Sequence, residues 1–119
     1  MMNFQFTQEA TIILPVTGND GMNLKPQTDT IVAELFDSFG GFTMQQANGA
    51  WKDPETGREY WEPVSVYHIA SVWNEVNIAK LVSIARKAAE WMKQEAIYLS
   101  IPSKGVLFVK ADEAALGAA

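Results

Sequence analysis

The chain has 119 residues with a formal charge of −5, one histidine and no cysteine. Hydrophobic residues at 48% and charged residues at 19% fit one ordinary globular domain spanning 1–119. Disulfides, thiolate metal sites and a cysteine nucleophile are excluded, which agrees with a reducing cytoplasm. The acidic balance argues against nucleic acid, whose backbone calls for clustered Lys and Arg. No apolar window is long enough to span a bilayer. The start, MMNFQFTQEA, lacks the basic and long apolar regions of a signal peptide.

In chain order, residues 11–16 are short, apolar and β-branched, and read as a buried strand with Pro15 at its unpaired or bent end. Residues 17–26 are a Gly- and Asn-containing loop, with no phosphate-binding spacing. Thr28 or Asp29 is expected to cap a helix whose stripe is Ile31, Val32, Leu35, Phe36 and Phe39. Gly40-Gly41 ends it.

Residues 42–69 read as a β-hairpin around the turn Asp53-Pro54-Glu55-Thr56-Gly57. Asn48-Gly49 is expected to form a bulge or bend, and Pro63 an edge or irregular position. Val64, Val66 and His68 share one strand face, and Ser65, Tyr67 and Ile69 the other. A strand apolar on both faces is either central or covered by a partner.

Trp73 or Asn74 opens a second helix expected to reach Gln94, with Ile78, Leu81, Val82, Ala85, Ala88, Ala89 and Met92 as its stripe. Lys80, Arg86, Lys87 and Lys93 lie off that stripe and read as a solvated basic face. Residues 95–101 alternate as a strand, 102–105 turn, and 106–109 form a short last strand. The core is expected over about 10–109, and the Ala-rich 110–119 reads as a loose tail.

This order predicts an α+β, ferredoxin-like βαββαβ sandwich with two helices on one face of an antiparallel sheet, plus a short extra C-terminal strand. The other sheet face would carry aromatics, and an exposed apolar face marks an interface, so a homo-oligomer is expected.

The pattern Gly40-Gly41-Phe42-Thr43, Gly49-Ala50-Trp51, Gly57, Glu62 and Gln94-Glu95-Ala96 resembles a family of small uncharacterised bacterial and phage proteins. The resemblance covers about residues 10–109 and implies a ferredoxin-like fold. It brings no catalytic residues. The chain departs from the family in its strand pair at 97–109 and its Ala-rich tail.

No catalytic residue or metal site can be assigned from the sequence, and no cofactor is expected. His68 alone gives no zinc-ligand spacing and reads as structural. Glu59 and Glu62 point to opposite faces, so they cannot pair as acid and base. Asp53 and Glu55 read as solvated turn residues, and no serine lies in a G-x-S-x-G context.

The candidate ligand or interface residues are therefore Trp51, Trp61, Tyr67, His68, Trp73 and Trp91. Trp51 and Trp61 are expected to meet across the hairpin. The expected function is a non-enzymatic interaction protein, phage- or mobile-element-encoded, engaging a host factor. The alternative is a small-molecule enzyme of the cofactor-independent dimeric ferredoxin-like type, or a small-ligand sensor. Its pocket, between helices and sheet, would recruit His68, Tyr67, Trp51 and Asn48.

Overall fold

A computed structural model describes residues 7–111. Its elements are β1 (Gln8–Pro15), α1 (Lys25–Phe39), β2 (Thr43–Lys52), β3 (Glu59–Ser71), α2 (Glu75–Trp91), β4 (Ala96–Ile101) and β5 (Gly105–Lys110). The five strands form one antiparallel sheet in the order β2-β3-β1-β4-β5. The first four of these follow the ferredoxin-like plan, and β5 extends it beyond β4. The predicted fold class is therefore the observed one.

Alternation along the strands decides what is buried. Ala10, Ile12 and Leu14 of β1 lie beside Ile69, Tyr67 and Ser65 of β3, and all are buried. Ile97, Leu99 and Ile101 of β4 continue this helix-facing layer. Ile31 and Leu35 of α1, with Leu81, Ile84, Ala85, Ala88 and Ala89 of α2, close the core from above. The small side chains at 85, 88 and 89 let α2 lie close on β4. Each fully buried Ile or Leu contributes roughly 1.5–3 kcal/mol.

The ends of the elements correct several expectations. β1 begins at Gln8 because its register with β3 runs unbroken from Gln8–Ser71 to Pro15–Val64. α1 begins at Lys25, three or four residues before the expected cap. Pro26 occupies its first turn, where no backbone donor is needed, and no side chain caps it. α2 ends at Trp91 instead of Gln94. Lys93 takes a left-handed φ of 54°, and Gln94 N–H donates to Ala89 O at 2.9 Å while Lys93 N–H donates to Glu90 O at 3.3 Å. This is a Schellman closure built on Lys where Gly is usual. Asn74 caps the other end of α2 by accepting from Asn77 N–H at 2.9 Å.

The hairpin pairs continuously from Thr43–His68 to Lys52–Glu59, so the bulge expected at Asn48-Gly49 is absent. The same register opposes Trp51 to Tyr60 and Trp61 to Ala50, which overturns the Trp51–Trp61 pair. β1 stops opposite Val64, so 59–63 and their partners form a two-stranded arm beyond the sheet. Pro63 pairs with Asn48 in regular register just beyond the end of β1, so it holds the edge position expected and not an irregular one. β5 includes Lys110, and Ala111 is buried, so no loose tail begins at Lys110. Residues 112–119 of that expected tail lie outside the described residues, as does most of the N-terminal stretch.

The tip of the arm gives a stability test. Asp53 organises the turn by accepting from Glu55 N–H at 2.8 Å, and Gly57 has a φ of 74° with nothing within 4 Å of a would-be Cβ. Gly57→Ala should therefore cost about 1 kcal/mol through backbone strain alone. Trp51 is half exposed, so Trp51→Ala should cost about 1 kcal/mol, the worth of a stacked pair, below the roughly 3 kcal/mol of a buried ring. Urea denaturation of both variants measures these values; a loss near 3 kcal/mol at Trp51 would place its ring in a buried environment.

Candidate functional site

The parity of β3 separates the two residues that looked most like one site. Tyr67 points toward the helices and is 3% exposed, whereas His68 lies on the opposite face, which carries no helix among the described residues. They cannot share a pocket. His68 Nε2 meets Gln45 Oε1 at 2.8 Å, and Nδ1 meets Thr11 Oγ1 at 3.3 Å. With the Gln45 carbonyl facing Nε2, that nitrogen donates and Nδ1 accepts the Thr11 hydroxyl proton. Both ring nitrogens are thus used within the sheet.

On the helix side, a cleft of about 400 Å³ opens where β1, the start of α1 and the paired strands β2 and β3 meet. This volume lies within the ~300–1,000 Å³ typical of small-molecule sites. Its apolar wall is Phe42, Met44 and Val32; its polar groups are Tyr67, Ser65, Gln46, Thr28, Lys25 and Asp29. Phe42 meets the Tyr67 ring edge-on at 5.3 Å, which fixes the phenol. Gln46 and Met44 reach the cleft because they oppose Ser65 and Tyr67 in the hairpin register.

Tyr67 has its pKa raised above the ordinary 10.0. Burial is the main cause; the Ser65 hydroxyl, hydrogen-bonded to it, works in the other direction, and the Asp29 carboxylate adds to the rise. The hydroxyl therefore stays protonated at neutral pH and can serve as a hydrogen-bond donor. At the mouth, Lys25 Nζ reaches both Asp29 oxygens, at 3.2 and 2.9 Å. An exposed i,i+4 pair of this kind contributes only about 0.3–0.5 kcal/mol.

The four tryptophans do not gather here. Trp73 Nε1 donates to Gln8 O at 2.7 Å and packs on Phe39 at 5.3 Å, pinning the β3–α2 connection to β1. Trp91 lies on the surface of α2 with Lys87 Nζ 5.4 Å from its ring centre. Lys87 also meets Glu34 of α1 at 2.6 Å, so this member of the basic face is paired across the helices. On the arm, Trp51 stacks on Tyr60 at 4.1 Å and 7°, with Arg58 4.9 Å above the Tyr60 ring. Trp61 is 75% exposed, and its indole N–H donates to Glu59 at 3.2 Å. Neither Trp51 nor Asn48 lines the cleft.

Sequence reasoning thus identified Tyr67 but missed Lys25, Asp29, Ser65, Gln46 and Phe42. The available signal was the parity that sets Ser65 beside Tyr67. Lys25 and Asp29 were hidden by the misplaced start of α1. Among the described residues, no group of three His, Asp or Glu could hold a metal ion, and no helix is long and apolar enough to cross a membrane.

No family model and no curated protein matches the chain. Two solved structures share its fold. A phage SAM lyase in complex with S-methyl-5′-thioadenosine aligns with a TM-score of 0.69 and 14% identity, over 93% of this chain and 97% of that one. A phage SAM lyase in the apo state aligns with a TM-score of 0.67 and 18% identity, over 94% and 96%. At these identities the likeness is one of fold. It nevertheless corrects the expectation of a non-enzymatic module engaging a host factor. That expectation rested on the lack of an active-site motif, and the two solved proteins that share this size and plan are lyases.

The cleft makes its own test. An alkaline absorbance titration should contain a tyrosine component above 10.0 that Tyr67→Phe removes. For a raised pKa the linked stability is fully present below the unfolded value of about 10 and declines as pH rises through the folded value. Tyr67→Phe should flatten that decline; loss of a component at the ordinary 10.0 instead would show a freely solvated phenol.

Proposed function

We propose that this chain is a small-molecule enzyme acting on S-adenosylmethionine, releasing S-methyl-5′-thioadenosine, with the Tyr67 cleft as its site. The observation that carries this reading is the near end-to-end match to a SAM lyase bound to S-methyl-5′-thioadenosine. The cleft supports it chemically. A sulfonium is a desolvated cation attracted to aromatic faces, and Phe42 and Tyr67 supply them within a pocket that also holds the Asp29 carboxylate.

The reaction asks little of the protein. When the bond between sulfur and the amino-acid side of the substrate breaks, its electron pair goes to the positively charged sulfur. A neutral thioether leaves. The carbon that is released is captured within the substrate itself, as an oxygen of its own carboxylate forms the new bond and closes a lactone. No protein nucleophile is consumed, which fits a chain without cysteine and with its one histidine on the other sheet face. The chain's task is to exclude water, hold the substrate bent, and offer the protonated Tyr67 hydroxyl as a donor.

The same proposal includes self-association through the helix-free sheet face. There Phe108 and Val106 are well exposed, and Tyr98 meets Phe108 edge-on at 5.9 Å. A substrate of this class is met inside cells, in keeping with the cytoplasmic expectation.

Incubation with S-adenosylmethionine and chromatography of the products tests the activity. S-methyl-5′-thioadenosine should accumulate, and Tyr67→Phe should lower kcat about tenfold or more. Binding without product would leave a ligand sensor; neither binding nor product would overturn the reading. Sedimentation at micromolar concentration tests association, and a single species at the 13.2 kDa chain mass would dismiss it.

A further inference from the structure

We propose that Lys25 and Asp29 receive the α-amino-acid end of the substrate, so that the cleft distinguishes substrate from product by charge. The inference rests on the reading of the cleft as an S-adenosylmethionine site. It goes beyond that reading by assigning a specificity-determining pair.

Three observations carry it. Both side chains are exposed at the mouth of the cleft while Tyr67 and Phe42 line its more buried part, so a ligand seated on the aromatic wall ends against the pair. The two charges are already held together, with Lys25 Nζ at 2.9 and 3.2 Å from the Asp29 oxygens. An α-amino acid carries one carboxylate and one ammonium on the same carbon. Docked here, its carboxylate meets Lys25 and its ammonium meets Asp29, giving a charge-alternating array of four groups.

The third observation is that local structure gives no reason for the pair. Lys25 is the first residue of α1, at the positive end of the helix, and it precedes its acidic partner. That is the less favourable sign at this end and the less favourable order for an i,i+4 pair. With side chains 73% and 64% exposed, the pair holds no other element in place. A helix start that opposes its own dipole, placed at the mouth of a cavity, is explained by a ligand.

The chemistry separates two ligands. S-adenosylhomocysteine keeps the amino-acid end but, lacking the sulfonium, cannot expel a neutral thioether and is not cleaved; S-methyl-5′-thioadenosine lacks the amino-acid end altogether. Calorimetric titration of both against the full chain reads the pair directly. Lys25→Ala and Asp29→Asn should each weaken S-adenosylhomocysteine about tenfold and leave S-methyl-5′-thioadenosine within about twofold.

The double swap Lys25→Glu with Asp29→Lys is the decisive variant. It restores an ion pair in the favourable order at the helix start, so its melting temperature should equal or exceed that of the wild type. Its affinity for S-adenosylhomocysteine should remain reduced. Rescue of binding by the swap, or equal losses for both ligands, would show a structural pair and overturn the proposal. If the wild type cleaves S-adenosylmethionine but no variant changes affinity, the assignment alone falls. If the wild type binds neither nucleoside, the underlying reading falls with it.

Discussion

The structure depends on the pairing of β1 with β3. Eight consecutive residue pairs, from Gln8–Ser71 to Pro15–Val64, fix which side chains of β3 face the helices. A slip of one residue would turn every side chain over. Ile69, Tyr67 and Ser65 would leave the core, and Val64, Val66 and His68 would enter it. The register holds because Ala10, Ile12 and Leu14 must be buried under α1 and α2, and because β4 reads the same parity through Ile97, Leu99 and Ile101. Core formation and cleft formation are therefore one event: the pleat that buries Ile69 also delivers Tyr67.

From this follows the division of labour between the two sheet faces. The helix side is packed along β1 and β4 and opens toward β2, where Met44 and Gln46 stay exposed. Among the described residues, the far side has no second layer. Its His68 is satisfied by Gln45 and Thr11, neighbours on the two adjoining strands, so a polar ladder replaces a covering element in the middle of that face. Toward β5 the ladder gives way to Tyr98, Phe108 and Val106, and there the face is apolar.

Much of the fold was legible in the sequence. The stripe Leu81, Ala85, Ala88, Ala89 and Met92 named the buried face of α2, and the alternation of Ile97, Leu99 and Ile101 named that of β4. What failed were features decided by the exact register of the hairpin. Trp51 and Trp61 looked paired because both flank the turn, but the pairing of Lys52 with Glu59 sets a register that places Tyr60 opposite Trp51. The bulge at Asn48-Gly49 failed for the same reason: a two-stranded arm with free outer edges imposes no bend, and Gly49 pairs with Glu62 in regular register. The site was half legible. Tyr67 and Ser65 lie on a recognisable strand face, but that this face opens into a cavity is a fact about where α1 begins.

That beginning is where local rules and the observed structure part. A helix start is read from a side-chain cap and from acidic residues in the first turn. α1 has neither; it opens with a cation followed by proline. Other contacts hold it: Leu24 is fully buried, Asn23 Oδ1 accepts from Lys25 N–H at 3.0 Å, and Thr28 N–H donates to Leu24 O at 2.8 Å. The unfavourable dipole interaction of Lys25, about 0.3–1 kcal/mol, is small beside the roughly 1.5–3 kcal/mol from burying Leu24. Tertiary packing can therefore hold this helix start against its own electrostatics. Sequences conform to local rules nearly everywhere and break them where something else is selected. In this chain the clearest break in helix α1 lies at the mouth of its small-molecule-sized cleft.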